Sequence, residues 1–373
     1  MISPQKKITL AILLTLFALG VQAQVTVGVI EADGTVVVPS YRLPPSPYMS
    51  PEARKALARE VSEDSNAGTV ILTREAASAQ RRAAVKNSAA WIQHIRERYP
   101  VNTEALTIAG VPAYRVTPLE GIPKRNRGKI LINLSGGGFT MASAGAGGLN
   151  ESIPLAALAK IEIVTLDYRQ APEATFPAAS EDVAAVYREL LKTHQPKNVG
   201  IFGCSAGGLL TAQSLAWFDK EHLPMPGAAG IFCASADARW AGDSWFWQKP
   251  IAGLATPPTL DERFYYGDHD LADPLMSPME SLEVLSRFPP TLFITGSRSG
   301  ELSSAINTHR LLTKVGVSAD LHVWDGMGHG FFGNVDLPES KEAFDVMARF
   351  FQTHLGRNAA SQGRAAGPKH VKR

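Results

Sequence analysis

Short apolar runs alternate along the chain with longer stretches of helical periodicity from Leu106 onward. The runs over 129–134, 161–166, 199–202, 230–233, 291–295 and 321–324 are too short for helices and too apolar for surface loops. They read as strands. Between or after them, 178–193, 206–218, 302–315 and 339–354 carry apolar residues at helical spacing. This alternation predicts an α/β fold built on a doubly wound, mainly parallel sheet. In such sheets chemistry collects at the carboxyl ends of the strands, so the loops after these runs are the places to look for it.

The N-terminal third has a different texture. Lys6 and Lys7 precede an apolar run over 8–21, and Val21-Gln22-Ala23 offers a small-residue cleavage site. That pattern predicts a secretory signal peptide over 1–23. The run is short for a bilayer crossing, which takes ~20 residues, so stable membrane insertion is not expected. Pro44-Pro45-Ser46-Pro47 reads as an extended linker. Ser50-Pro51-Glu52 then has the form of a helix start, with Ser as N-cap and Pro at the first helical position. Helical composition continues to Tyr99, with a break at Asn66-Ala67-Gly68. The expected organisation is a signal peptide over 1–23, a linker and helical cap over 24–104, a catalytic domain over 105–356 and a disordered basic tail over 357–373.

The formal charge of +2 is carried by the ends of the chain. Without the two leader lysines and the five cations from Arg357 to Arg373, the body is at −5. A mildly acidic body gives nucleic acid no electrostatic platform. Cys204 and Cys233 are the only cysteines; both end predicted buried strands and are read as free thiols. No Cys/His spacing points to a metal site.

Gly203-Cys204-Ser205-Ala206-Gly207 has the G-x-S-x-G form. Three fixed positions mean little alone, but here an apolar strand enters the motif and an Ala/Leu-rich helix leaves it. Such a turn exposes the serine Oγ as a nucleophile. Leu134-Ser135-Gly136-Gly137-Gly138-Phe139 follows another strand, and its glycines can turn backbone N–H groups towards an oxyanion. The run lacks the endings and spacings of phosphate-binding loops. Gly328-His329-Gly330 follows the last strand, and the order Ser first, His last suits a hydrolase triad on this fold. The acid is harder to place. In the loop Gly296-Ser297-Arg298-Ser299-Gly300-Glu301, Glu301 is the only carboxylate; Asp237, after the preceding strand, is a second candidate.

Together these motifs resemble the hormone-sensitive-lipase-like branch of the α/β-hydrolases over roughly Leu106 to Leu355. The glycine run, the segment Asp167-Tyr168-Arg169-Gln170-Ala171-Pro172-Glu173 and Gly203-Cys204-Ser205-Ala206-Gly207-Gly208 carry the resemblance. It implies Ser205 as nucleophile, His329 as general base, and an oxyanion hole from the N–H groups of Gly136, Gly137 and Ala206. It also implies an N-terminal helical cap and hydrolysis of small-molecule esters of short to medium acyl chains, without cofactor. Two departures stand out. Ser135 occupies a position that is usually His, and the family's catalytic Asp aligns with Ser299. Two readings follow: an esterase in which Glu301 replaces that Asp, or a degenerate relative that binds an ester-like or apolar ligand with little turnover.

Overall fold

A computed structural model describes residues 29–38, 42–63, 74–251 and 263–357. The expected signal peptide and all of the expected tail beyond Arg357 lie outside these residues. In the N-terminal unit that ends at Pro44, Val29–Ile30 and Val36–Val37 pair as a short antiparallel hairpin.

From Pro45 onward the organising feature is an eight-stranded sheet. Its strands are β1 (Val101–Ile108), β2 (Val111–Pro118), β3 (Ile130–Leu134), β4 (Glu162–Leu166), β5 (Val199–Cys204), β6 (Ala228–Phe232), β7 (Thr291–Gly296) and β8 (Ala319–Trp324). They lie in the order β1-β2-β4-β3-β5-β6-β7-β8. From β4 through β8 every neighbouring pair is parallel, whereas β1–β2 and β2–β4 are antiparallel. Each predicted strand is present within two residues of its expected ends. The antiparallel pair was not expected, because β1 reads Val-Asn-Thr-Glu-Ala-Leu-Thr-Ile, half-exposed and without an apolar run. What fixes it is the turn: Ala109 and Gly110 both have positive φ, and Ile108 faces Val111 across a two-residue loop.

The central strands alternate their side chains between two apolar layers, as the two-residue period demands. Ile130, Ile132, Val164, Ile201, Ile231 and Phe293 enter one layer with helices α4 (Ala178–Leu190), α5 (Ala206–Lys220) and α7 (Leu302–Lys314). Leu131, Ile163, Phe202, Phe232 and Ile294 enter the other with α3 (Leu149–Ala159) and α8 (Pro338–His354). Helix α6 (Asp243–Ile251) lies between β6 and β7, followed there by two shorter helices, Arg263–Tyr266 and Leu282–Ser286. Fully burying one such side chain contributes roughly 1.5–3 kcal/mol.

Helices α1 (Pro51–Glu63) and α2 (Arg74–Arg98) belong to the second layer, through Ala53, Ile92 and Ile95. The start of α1 is the one its sequence announces. Ser50 Oγ accepts the Ala53 N–H at 3.0 Å, and Pro51 is the first helical residue. Glu339, at the start of α8, accepts from Ser50 N at 2.7 Å and Ser50 Oγ at 2.9 Å, which ties the two helix starts together.

Candidate active site

Val199–Phe218 is buried throughout with a single break, at Ser205. That residue stands between β5 and α5 with φ 57° and ψ −128°, a conformation rarely adopted by an L-residue. The turn is held by close packing of backbone. A Cβ on Gly203 would lie 2.2 Å from Leu134 O, and one on Gly207 would lie 1.8 Å from the same oxygen. Ser205 N donates to Phe232 O at 2.9 Å, which anchors the turn to the end of β6.

The glycine run lies against this turn. A Cβ on Gly136 would meet Cys204 O at 2.8 Å and Ser205 Cβ at 3.0 Å. Gly137 has φ 138°, and a Cβ there would run into Ala142 N at 2.3 Å. Gly136 is thereby packed against Ser205, with Gly137 and Ala206 next to them in the chain. The Asp167–Glu173 segment has a physical role here. Tyr168 Oη donates to Ser135 O at 2.7 Å, and Gln170 bonds Ala142 through both its donor and its acceptor, at 2.9 and 2.8 Å. These bonds brace the loop from outside.

From beneath, a carboxylate that sequence reading missed does the same. Glu151, on α3, is buried and accepts from Asn133 Nδ2 at 2.8 Å, while Asn133 in turn accepts from Thr165 Oγ1. Burial pushes the Glu151 carboxyl up to about 8, against the lowering effect of hydrogen bonds from Asn133 and from the backbone N–H groups of Gly136 and Cys204. In the unfolded chain the same group titrates near its ordinary value of 4.5. Between these values the unfolded state loses its proton while the folded state keeps it, so stability falls as pH rises. The slope is at most ~1.4 kcal/mol per pH unit. Glu151→Gln keeps the shape and removes the titration, so its melting temperature is expected to fall less than the wild type's from pH 5 to pH 8. Equal slopes would contradict this.

At the other end of the site, Glu301 is 1% exposed, immediately before α7. Its Oε2 lies 3.0 Å from His329 Nδ1. Its Oε1 accepts from Thr295 Oγ1 at 2.8 Å and from Ser299 Oγ. Burial alone would raise this carboxyl, but the charge and hydrogen bond of His329 and the hydrogen bond from Ser299 hold it below its ordinary range. Burial acts to lower the imidazole of His329, and the charge and hydrogen bond of Glu301 overrule it and raise the ring above its ordinary range. The serine that stands where the family has Asp is therefore a hydrogen-bond donor to the carboxylate two positions on. Asp237 is engaged elsewhere: its Oδ1 accepts from Arg239 N at 3.0 Å and Arg239 Nε at 2.8 Å.

Family comparison places this geometry. The family described as alpha/beta hydrolase fold matches residues 131–333, more than half of the chain. The chain belongs to this α/β-hydrolase family. An acetyl-hydrolase of Streptomyces hygroscopicus is 30% identical over 239 residues, 63% of this chain and 79% of that protein. A solved esterase structure superposes with TM-score 0.77 at 30% identity, covering 85% of this chain and 98% of the other. An esterase of the bacterial hormone-sensitive lipase family superposes with TM-score 0.70 at 26% identity, covering 82% and 99%. Among these relatives, the α/β-hydrolase described here is a serine hydrolase of the esterase type.

In this hydrolase a cleft of about 330 Å³ reaches His329, lined by Met49 just before α1, by Ala53 and Leu57 on α1, and by Met327, Phe331 and Leu337 from the segment between β8 and α8. Gln248 and Arg298 add polar groups to its wall. Cys233, which the sequence marks only as a free thiol, also stands beside His329. It is a free thiol directly after β6, with its Sγ accepting the Gly330 N–H at 3.2 Å. No helix among the described residues is long and apolar enough to cross a membrane.

Proposed function

We propose that the protein is an exported carboxylic-ester hydrolase acting through an acyl-enzyme on esters of short to medium acyl chains. The observation that carries the reading is the 3.0 Å pairing of a buried Glu301 carboxylate with His329 Nδ1. A carboxylate there holds the proton on Nδ1, leaves Nε2 as the base, and stabilises the imidazolium as it forms. Ser205 Oγ gives up its proton to His329 and attacks the ester carbonyl. The N–H groups of Gly136, Gly137 and Ala206 take the charge that develops on the carbonyl oxygen. The alcohol leaves with the proton from His329; water, deprotonated by the same ring, then releases the acid and restores Ser205. The likeness to an acetyl-hydrolase and to solved esterases supports small esters as the substrates.

Purified protein with a series of p-nitrophenyl acyl esters tests the reading. Turnover is expected to be highest from acetyl to about hexanoyl and to decline for longer chains. A flat near-zero rate across the series, from folded protein, would leave only a non-catalytic binder. Export rests on the leader pattern over 1–23. Mass spectrometry of protein recovered outside the cytoplasm is expected to find a chain starting near Gln24, and a full-length product there would overturn the assignment.

A further inference from the structure

Three donor atoms of different chemistry meet at one end of this site. Cys233 Sγ, a carboxylate oxygen of Glu301 and a ring nitrogen of His329 all lie within 4.8 Å of one another. They arrive from three loops, after β6, β7 and β8, so the sheet itself brings them together. The reaction described above uses Glu301 and His329 and leaves the thiol without a task. Its placement is nevertheless well determined. Cys233 has φ 45°, its N–H donates to Ile294 O at 2.7 Å, and its Sγ accepts from Gly330 next to the histidine. The thiol is fully buried, whereas the His329 side chain is 40% exposed and opens the cluster to the cleft.

We propose that Cys233, Glu301 and His329 form a binding site for a thiophilic divalent cation of the zinc type, and that its occupancy switches the esterase off. One thiolate, one imidazole and one carboxylate, with water in the fourth position, is a donor set that zinc takes in tetrahedral geometry. Magnesium and calcium require oxygen ligands and are not served by it. Tetrahedral zinc at ~2.0 Å from its nitrogen and oxygen ligands sets those two atoms ~3.3 Å apart, against 3.0 Å between His329 Nδ1 and Glu301 Oε2. The pair need open only by a few tenths of an ångström. On binding, Cys233 releases its proton to solvent and the metal takes the lone pair of Nδ1, so the neutral imidazole carries its one proton on Nε2. The metal charge is balanced by thiolate and carboxylate, and nothing is oxidised or reduced. Nε2 is the atom that must accept the Ser205 proton, so the metallated ring cannot act as base. The loss of activity rests on the esterase reading; the binding does not.

Binding and inhibition are read separately, on the full chain. Zinc sulfate titrated into an ester assay is expected to remove more than nine-tenths of the rate, with recovery on adding EDTA, while magnesium and calcium have no effect. Cys233→Ser is expected to need at least tenfold more zinc, each protein being measured against its own zinc-free rate; Cys233→Ala replaces it should that variant fail to fold. Cobalt(II) added to Ser205→Ala protein is expected to give a thiolate-to-cobalt charge-transfer absorption that disappears when Cys233→Ser or Glu301→Gln is added to that background. No such absorption, or one that survives Cys233→Ser, overturns the metal site even if esters are hydrolysed. The absorption without any ester turnover keeps the site and overturns the esterase reading.

Discussion

Glu301→Gln is expected to lower kcat by about 10³–10⁴ with little change in KM. The size of the effect follows from what the charge does. Removing the acid in a related triad costs about 10⁴ in rate while the oxyanion hole and substrate binding persist. Gln has the shape of Glu and can still accept from Thr295 Oγ1, so the loop keeps its fold, but its amide cannot stabilise an imidazolium. A fall confined to kcat is the signature of an interaction made in the transition state. The neighbouring Ser299 gives a sharper comparison. Because Ser299 Oγ donates to Glu301, Ser299→Asp sets a second carboxylate against a buried one, and like charges that close cannot both ionise. That substitution restores the residue type usual in the family, yet here it is expected to reduce activity. Ser299→Ala, which removes only a donor, is expected to cost about tenfold or less. An unchanged rate in Glu301→Gln together with a strong gain in Ser299→Asp would show that Glu301 has no part in the reaction. Steady-state kinetics on the three variants decides between these outcomes.

The parts of the fold that could be read from the sequence are those whose residues bury both sides of a strand. β3 to β7 announce themselves because their side chains are almost all buried; β8 is the exception, an edge strand with half of its residues exposed that shows itself only through Leu321, Val323 and Trp324. β1 did not, because one of its faces is open to water, and its identity comes from the turn at Ala109-Gly110 and from pairing with β2. The nucleophile turn was legible for a steric reason: Gly203 and Gly207 approach Leu134 O more closely than any Cβ permits. Ser205, His329 and Glu301 could be named from the loops in which they occur. What those loops could not reveal is how Glu301 and Ser299 divide the work, since a two-residue displacement of a carboxylate makes sense only when both side chains are seen to converge. Asp237 looked equivalent in sequence and differs only because Arg239, two residues on, takes its carboxylate. Glu151 gave no signal, and Cys233 none beyond that of a free thiol at the end of a buried strand. Each matters through contacts with residues distant in the chain, Asn133 and Gly136 for one and Gly330 for the other.

All parts of the site follow the carboxyl ends of parallel strands: the loop after β3 supplies donors to an oxyanion, those after β7 and β8 the acid and the base, and Ser205, after β5, lies between them in strand order. Its Oγ is the only group asked to form a covalent bond. Ser205→Ala is accordingly expected to lower kcat by up to about 10⁶, the scale seen when a triad nucleophile is removed elsewhere. The fold should remain, since the serine side chain is the one member of its run that is not buried.

The most direct test of this account is intact-protein and peptide mass spectrometry after exposure to a p-nitrophenyl alkylphosphonate. Such a probe mimics the tetrahedral intermediate and stays on the atom that attacks it. One adduct per chain is expected on the peptide that carries Ser205, with release of one p-nitrophenol, matching loss of esterase activity, and no adduct on Ser205→Ala protein. Folded wild-type protein that stays unlabelled, or an adduct that persists in Ser205→Ala, would contradict it.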